Sequence, residues 1–540
     1  MVAGVRTVTV NWQVRYTSTS LHLLSLLIKS FRSLFWQSEY LSYSQAMDLS
    51  ELRKNLKNYN AQLEIFRLEK YLNQNYTKSL SEIEETATDL FTASTIETLE
   101  DLNANSDEQS EVEQKARFNL LNVSRLGFLK RETNEISREL EICRKAVRIK
   151  FQDQILPFSD SLKKIAFEEA SENRKEIFAR LIDSQNSCAN LLIEKFSILQ
   201  KTSQKLGLIN LHNFYEEIAK IDFADFVRKA KTFLEKTEEI YFRMLSGVAL
   251  GNNLEIKKLH SADIYFLRER LERPQIFSGQ TLPRLYERIF ENFGFNSRKI
   301  TNIEIVKASE QKRAGVFCPN PPEKINFYVS NQNGAANFIE FLRCFGRANQ
   351  AAWTSKELAR RFPEFIFPPD ACLPFAYGVL FQTLLTSNPF LQQSVGIWEE
   401  KLIDKIVEEN KFRLLYEARS EILKFIREIE FFGAAVSDIE EFSQDSAVNL
   451  TNNLGFEFSR DQILFEISEN FNSQTRLRGF LFAYGLREYF SEKYGFRWWT
   501  ARKTFEELID FWNTSSCYKA EEMAQMIGFE MNFDLLAETL

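Results

Sequence analysis

The chain has 540 residues but only 18 glycines and 11 prolines. With so few residues that turn or break a backbone, its elements must be long and its turns few. That favours helices over a sandwich or barrel of short strands. Forty-nine phenylalanines, 17 tyrosines and 7 tryptophans supply core material, and the length is enough for two or three lobes. The net charge of −7 argues against nucleic acid as the main partner, because phosphate binding needs a basic face.

Six cysteines (Cys143, Cys188, Cys318, Cys344, Cys372 and Cys517) are scattered without a C-x-x-C pair. Such spacing is expected of reduced, mostly buried thiols in a cytoplasmic protein, not of a disulfide framework or zinc knuckle. Histidine is scarcer still. The chain has three, His22, His212 and His260, and no two lie within a helical turn of each other.

Residues 1–46 read as an N-terminal extension. The apolar run from Leu21 to Ile28 ends at Lys29, well short of the roughly 20 residues of a membrane span, so no span is expected. A weak signal-like segment is one reading, though no small-x-small site follows closely; a start assigned too far upstream, with Met47 as the true one, is the favoured reading. From Met47, Leu49, Leu52, Leu56, Tyr59, Leu63 and Phe66 repeat at helical spacing.

Residues 47–300 form a predicted helical lobe. Within it, Thr92 to Asp107 reads as a polar connection, Val147–Phe151 with Ile155–Pro157 as a small hairpin, and Asp222 as a helix N-cap. Residues 301–540 form a second lobe of different texture. Ile303–Val306 and Ile325–Val329 alternate as strands do, and Asn331–Gly334 is a turn signal. A helix over Phe338–Ala352, a Pro-rich loop over Phe362–Asp370 and a helix over Phe375–Thr386 follow.

Strand, strand, glycine turn, helix, loop, helix is the layout of a gluzincin-type zinc peptidase core. The residues themselves resemble a bacterial branch of the thimet oligopeptidase and oligoendopeptidase F family. The matching blocks are Lys312–Cys318, Asn333-Gly334, Phe345-Gly346 with Ala348, Ala376–Phe381, Asn388–Leu391, Leu477–Phe480 and Tyr494–Trp499. Upstream, Leu206-Gly207-Leu208 and Phe233–Glu238 fit the same pattern, and the resemblance covers roughly residues 50–540. It implies a mostly α, zincin-like oligopeptidase fold: a helical ellipsoid with a deep channel and a small β-sheet next to the former metal site.

In that family one helix carries H-E-x-G-H. Two histidines at i and i+4 bind zinc, the glutamate between them activates water, and a glutamate on the next helix completes the site. The resemblance puts Arg343 and Arg347 in the histidine positions, Cys344 in the base position and Phe375 in the third-ligand position. Guanidinium has no lone pair to give a metal and stays charged, phenylalanine cannot ligate, and one thiolate is not a zinc site. Where family members carry transition-state groups, this chain reads Gln474-Thr475-Arg476. No cofactor is therefore expected, although active relatives use zinc.

Arginines at i and i+4 repel each other and call for acids, with Glu340, Glu364 and Asp370 as candidates. The pair is expected to plug the vacated site with ion pairs, to form a fork for a peptide terminus or other anion, or to have drifted without a role. Tyr377 and Arg478 are further candidates for peptide contact, although Tyr377 and the Trp498-Trp499 pair also read as packing. Cys344 reads as an inert buried thiol, since no base is visible near it. The function expected is that of a non-catalytic homologue, monomeric, binding peptides or a protein partner in the channel. Peptides would add as a strand to the edge formed by Ile325–Val329. An active metallo- or cysteine-type peptidase with a rearranged site is the alternative, and a structural helical interaction protein the second.

Overall fold

Helix α1 spans Ala46–Leu72 and buries Leu49, Leu56, Tyr59 and Phe66, the stripe that the helical spacing predicts. The computed structural model describes residues 46–73, 76, 80–104, 110–308, 312–433 and 438–540; the expectations for residues 1–45 fall outside them. Where the sequence suggests a polar connection from Thr92, a helix over Ala93–Ala104 forms instead. Ile96 and Leu99 are buried and Leu102 packs beside them, too weak a stripe to stand out among serines, threonines and acids. The Thr92 hydroxyl accepts the Thr95 N–H at its start, and such caps offset otherwise unpaired N–H groups. Asp222 caps its helix as expected, accepting from the Asp225 N–H. Strands β1 (Arg148–Phe151) and β2 (Gln154–Pro157) form the predicted hairpin.

One expectation about cysteine is overturned. Cys143 and Cys188 are joined by a disulfide, with Cα atoms 6.0 Å apart. The helix over Asn134–Ala146 packs along the helix over Ala189–Lys205, which brings the end of one to the start of the other. The remaining four cysteines are free, and Cys344, Cys372 and Cys517 are buried.

The second sheet has strand order β3-β5-β4, from β3 (Ile303–Ala308), β4 (Gly315–Asn320) and β5 (Lys324–Ser330). β3 runs parallel to β5 and β4 antiparallel to it. The expected peptide-accepting edge at Ile325–Val329 is therefore wrong, because β5 is the central strand and its backbone already pairs on both sides. β4 escapes notice in the sequence because Pro319 interrupts it and it shows no alternation; its pairing is irregular between Phe317 and Asn320. Its outer side meets α1: Glu64 accepts the Cys318 N–H at 2.8 Å, and Tyr71 packs on Phe317 and Tyr328.

Helix α2 (Ala335–Trp353) begins at Gly334, whose φ of 124° suits glycine. A Cβ there would lie 2.4 Å from a Glu272 carboxylate oxygen, and that carboxylate accepts the Ala336 N–H at 2.9 Å. Helix α3 (Cys372–Gln382) crosses α2 at Gly346 and Gly378. The backbones touch: a Cβ on Gly346 would sit 2.1 Å from the Tyr377 carbonyl oxygen, and one on Gly378 2.9 Å from that of Arg343. The long helix α4 (Glu400–Gly433) and helix α5 (Asn472–Tyr494) pack around this crossing. One continuous apolar core runs from Leu129 to Leu540 and a smaller one lies under α1. Trp498 and Trp499 belong to the larger, edge-on to Phe381 and Phe390.

Candidate functional site

The crossing of α2 and α3 places Arg343 opposite Phe375, with the guanidinium carbon 5.6 Å from the ring centroid. Arg476, from α5, approaches the same ring at 5.4 Å. One carboxylate serves both arginines. Glu417 of α4 accepts from Arg343 at 2.8 Å through one oxygen and from Arg476 through the other. Arg343 also donates to Gln382 at 2.5 Å, and Arg476 pairs with Glu421 at 3.0 Å. Burial opposes a charge on Glu417, yet the two guanidiniums hold its carboxyl below the usual range. None of the acids suggested by the sequence pairs with Arg343. Glu364 binds Arg53 and Asp370 binds Arg478, while Glu340 accepts from the Cys344 thiol at 3.5 Å.

Arg347 lies one turn beyond and does not join Arg343 in a fork. Solvent reaches it, and the groups around it are Cys344, Glu340, Cys318 and Glu64. Cys344 is fully buried, and burial pushes its thiol well up, away from thiolate. Tyr377 is also fully buried, edge-on to Phe482 and Trp512. Arg478 is enclosed, donating to Asp370 at 2.8 Å and to Glu521 at 2.7 and 2.6 Å. The surroundings of both residues are those of core groups.

The groups missed by the sequence reading lie on α4. Arg413, Tyr416, Glu417, Ser420, Glu421, Lys424 and Arg427 recur at helical spacing, and in sequence such a stripe reads as a solvated face. Here it walls two cavities of about 450 and 490 Å³, which meet at Arg268, Tyr416, Ser420 and Glu421. Beside them Glu428 is fully buried, accepts from the Ser473 hydroxyl, and has its carboxyl pushed up to about 8 by burial. A folded-state value raised above the unfolded one means that Glu428 favours the fold below about pH 4.5 and loses that contribution as pH rises through about 8. Glu428→Gln is expected to flatten the decline in stability between pH 5 and pH 8 by more than about 1 kcal/mol, as read by urea unfolding at both pH values.

A serine–histidine–aspartate cluster lies elsewhere. His260 Nε2 is 3.2 Å from the Ser171 hydroxyl, 3.2 Å from the Ser171 carbonyl and 3.4 Å from Asp263. All three contacts fall on one ring nitrogen, whereas a catalytic relay needs both. Asp263 is moreover held by Arg174 at 2.7 Å. His212 stacks on Phe223. Among the described residues no three His, Cys, Asp or Glu side chains converge as a metal site requires, and Arg343, Arg347 and Phe375 offer zinc no donor. The residues present do not fit that ion.

No family model matches the chain, and no curated protein matches it significantly. Solved structures do. An assigned oligoendopeptidase F of Bacillus anthracis str. Ames superposes with a TM-score of 0.65 at 11% identity, over 98% of this chain and 96% of that one. A PZ peptidase A with an inhibitor gives 0.64 at 11% identity, over 97% of each chain. The chain has the oligopeptidase fold. An M32 carboxypeptidase of Deinococcus radiodurans R1 is similar too, with a TM-score of 0.54 at 13% identity over 92% of this chain and 98% of that one. The oligopeptidase architecture thus extends over nearly the whole length and bears out the expectation of a mostly helical body with a small sheet. Among the described residues no helix is long and apolar enough to cross a membrane.

Proposed function

We propose that the chain is a non-catalytic relative of the zinc oligopeptidases that holds peptides, or an extended segment of a partner protein, in the cavities beside Arg343. One observation carries this reading. Two of the three side chains that the family resemblance puts in ligand positions are committed to other contacts: Arg343 to Glu417 and Gln382, and Phe375 to the guanidiniums of Arg343 and Arg476. On that resemblance the network stands where relatives would bind metal, and cavities lie alongside it. A cysteine-peptidase reading has little support, because Cys344 is buried as a neutral thiol and neither His212 nor His260 lines the cavities.

The same proposal includes a helical lobe over residues 47–300, a site-bearing lobe over 301–540, a monomer and a cytoplasmic location. The Cys143–Cys188 disulfide weighs against the last, since disulfides are rare in cytosolic proteins. Purified without added metal, the protein is expected to carry far less than one zinc per chain by elemental analysis. It is also expected to leave fluorogenic oligopeptides intact with or without added zinc. Stoichiometric zinc together with chelator-sensitive cleavage would sink the proposal.

A further inference from the structure

The two joined cavities carry a charge opposite to that of the chain. Arg268, Arg313, Arg343, Arg413 and Arg476 line the first, against Glu272, Glu417 and Glu421. Arg144, Lys195, Lys424 and Arg427 join them along the second, against Glu466 and Glu469. Among the described residues this makes nine cations to five carboxylates, inside a protein whose net charge is −7.

Several of these cations lack a full set of partners. Arg268 and Arg313 are exposed to the cavity and have no ion-pair partner among the described residues; Arg268 lies over the Tyr416 ring. Arg427 has a side chain only 5% exposed and pairs with Glu466 through one nitrogen, while its Nε and Nη1 have no acceptor. Nη2 of Arg413 and Nε of Arg144 are in the same position. A buried guanidinium without acceptors is costly, so a ligand that brings carboxylates removes that cost. The wall is not uniformly basic, however. Glu421 Oε2 is also without a hydrogen-bond partner among the described residues, and it suits a ligand that offers N–H donors as well. A polyphosphate strand offers no such donors along its backbone and needs an uninterrupted basic track.

We propose that these cavities bind acidic peptides, whose Asp and Glu side chains reach Arg268, Arg313 and Arg427 while their backbone amides meet Glu421. This rests on the peptide-binding reading above and adds the class of peptide. The full-length protein would be titrated, with fluorescence anisotropy as the readout, against labelled ten-residue peptides of alternating Glu-Ala, Gln-Ala and Lys-Ala. Glu-Ala is expected to bind at least tenfold more tightly than the other two, with an advantage that shrinks as salt is raised. Arg268→Gln with Arg313→Gln should remove about tenfold of that affinity with little change in melting temperature, since neither side chain has an ion pair to lose and Arg268 gives up only its contact with the Tyr416 ring. Arg313→Gln alone, expected to cost about threefold, serves if the double variant melts early.

Equal binding of all three peptides, or full Glu-Ala affinity in the variants, would overturn the acidic specificity and leave peptide binding standing. Absence of binding by any of the three would overturn the peptide reading itself. Displacement of the Glu-Ala peptide by a ten-residue oligodeoxythymidylate at lower concentration would reassign the cavities to nucleic acid.

Discussion

Gly346→Ala is expected to be among the most damaging single substitutions in this chain. The added methyl would sit 2.1 Å from the Tyr377 carbonyl oxygen and 2.6 Å from its carbon. Backbone in the middle of a packed helix cannot rotate aside as a side chain can, so α2 and α3 must separate. Overpacking of this kind costs about 1–3 kcal/mol and occasionally more; here the upper end is expected. Separation would also draw Arg343 away from Gln382 and Glu417, to which it is bonded from the same stretch of α2. Urea unfolding should show a fall of about 3 kcal/mol, or the protein should be recovered only in aggregates. A variant of unchanged stability would mean that the two backbones are not in contact.

Arg478→Met is expected to cost still more. Its guanidinium is fully enclosed and binds Asp370, itself buried, together with Glu521. Removing one partner of a buried pair leaves the other charge without compensation and costs about 3–5 kcal/mol. The effect should depend on pH in a definite direction. Burial opposes a charge on Asp370, but Arg478 and Lys519 hold its carboxyl below the usual value. A lowered folded-state value contributes stability above the unfolded one and loses it as pH falls through the folded one. Without Arg478 that carboxyl instead takes up a proton readily. The gap between wild type and variant should therefore be widest near neutral pH and narrow below about pH 4. A gap that stays constant between pH 7 and pH 3.5 in chemical unfolding would refute this account.

What could be read from the sequence follows from which interactions are local. The α1 stripe, the Asp222 cap, the hairpin at Arg148–Pro157 and the turn at Gly334 depend on neighbours in the chain, and all four were legible. Pairings across long separations were not. Arg343 finds Glu417 across 74 residues, past nearer acids that turn out to serve Arg53 and Arg478. Cys143 and Cys188 are 45 residues apart, without a motif, and meet only because two helices lie side by side. β4 carries a proline and no alternation, so its presence and the central place of β5 had to come from the fold. The cavity wall on α4 has the periodicity of any exposed helical face, and nothing in it distinguishes bulk solvent from a solvent-filled interior.

Glu417 bears on how these positions can change over generations. One carboxylate answers two guanidiniums that come from helices far apart in the chain, and both lie against the Phe375 ring. Loss of either arginine leaves a complete ion pair behind; loss of the glutamate leaves Arg343 and Arg476 facing the same ring with one neutral partner, Gln382, and Glu421 to share. The outcome of a substitution at any of the three sites is thus set by which residues already stand at the other two, and individual effects will not add. A lineage can leave this arrangement in some orders of mutation more easily than in others. The glutamate is the last that can safely be given up.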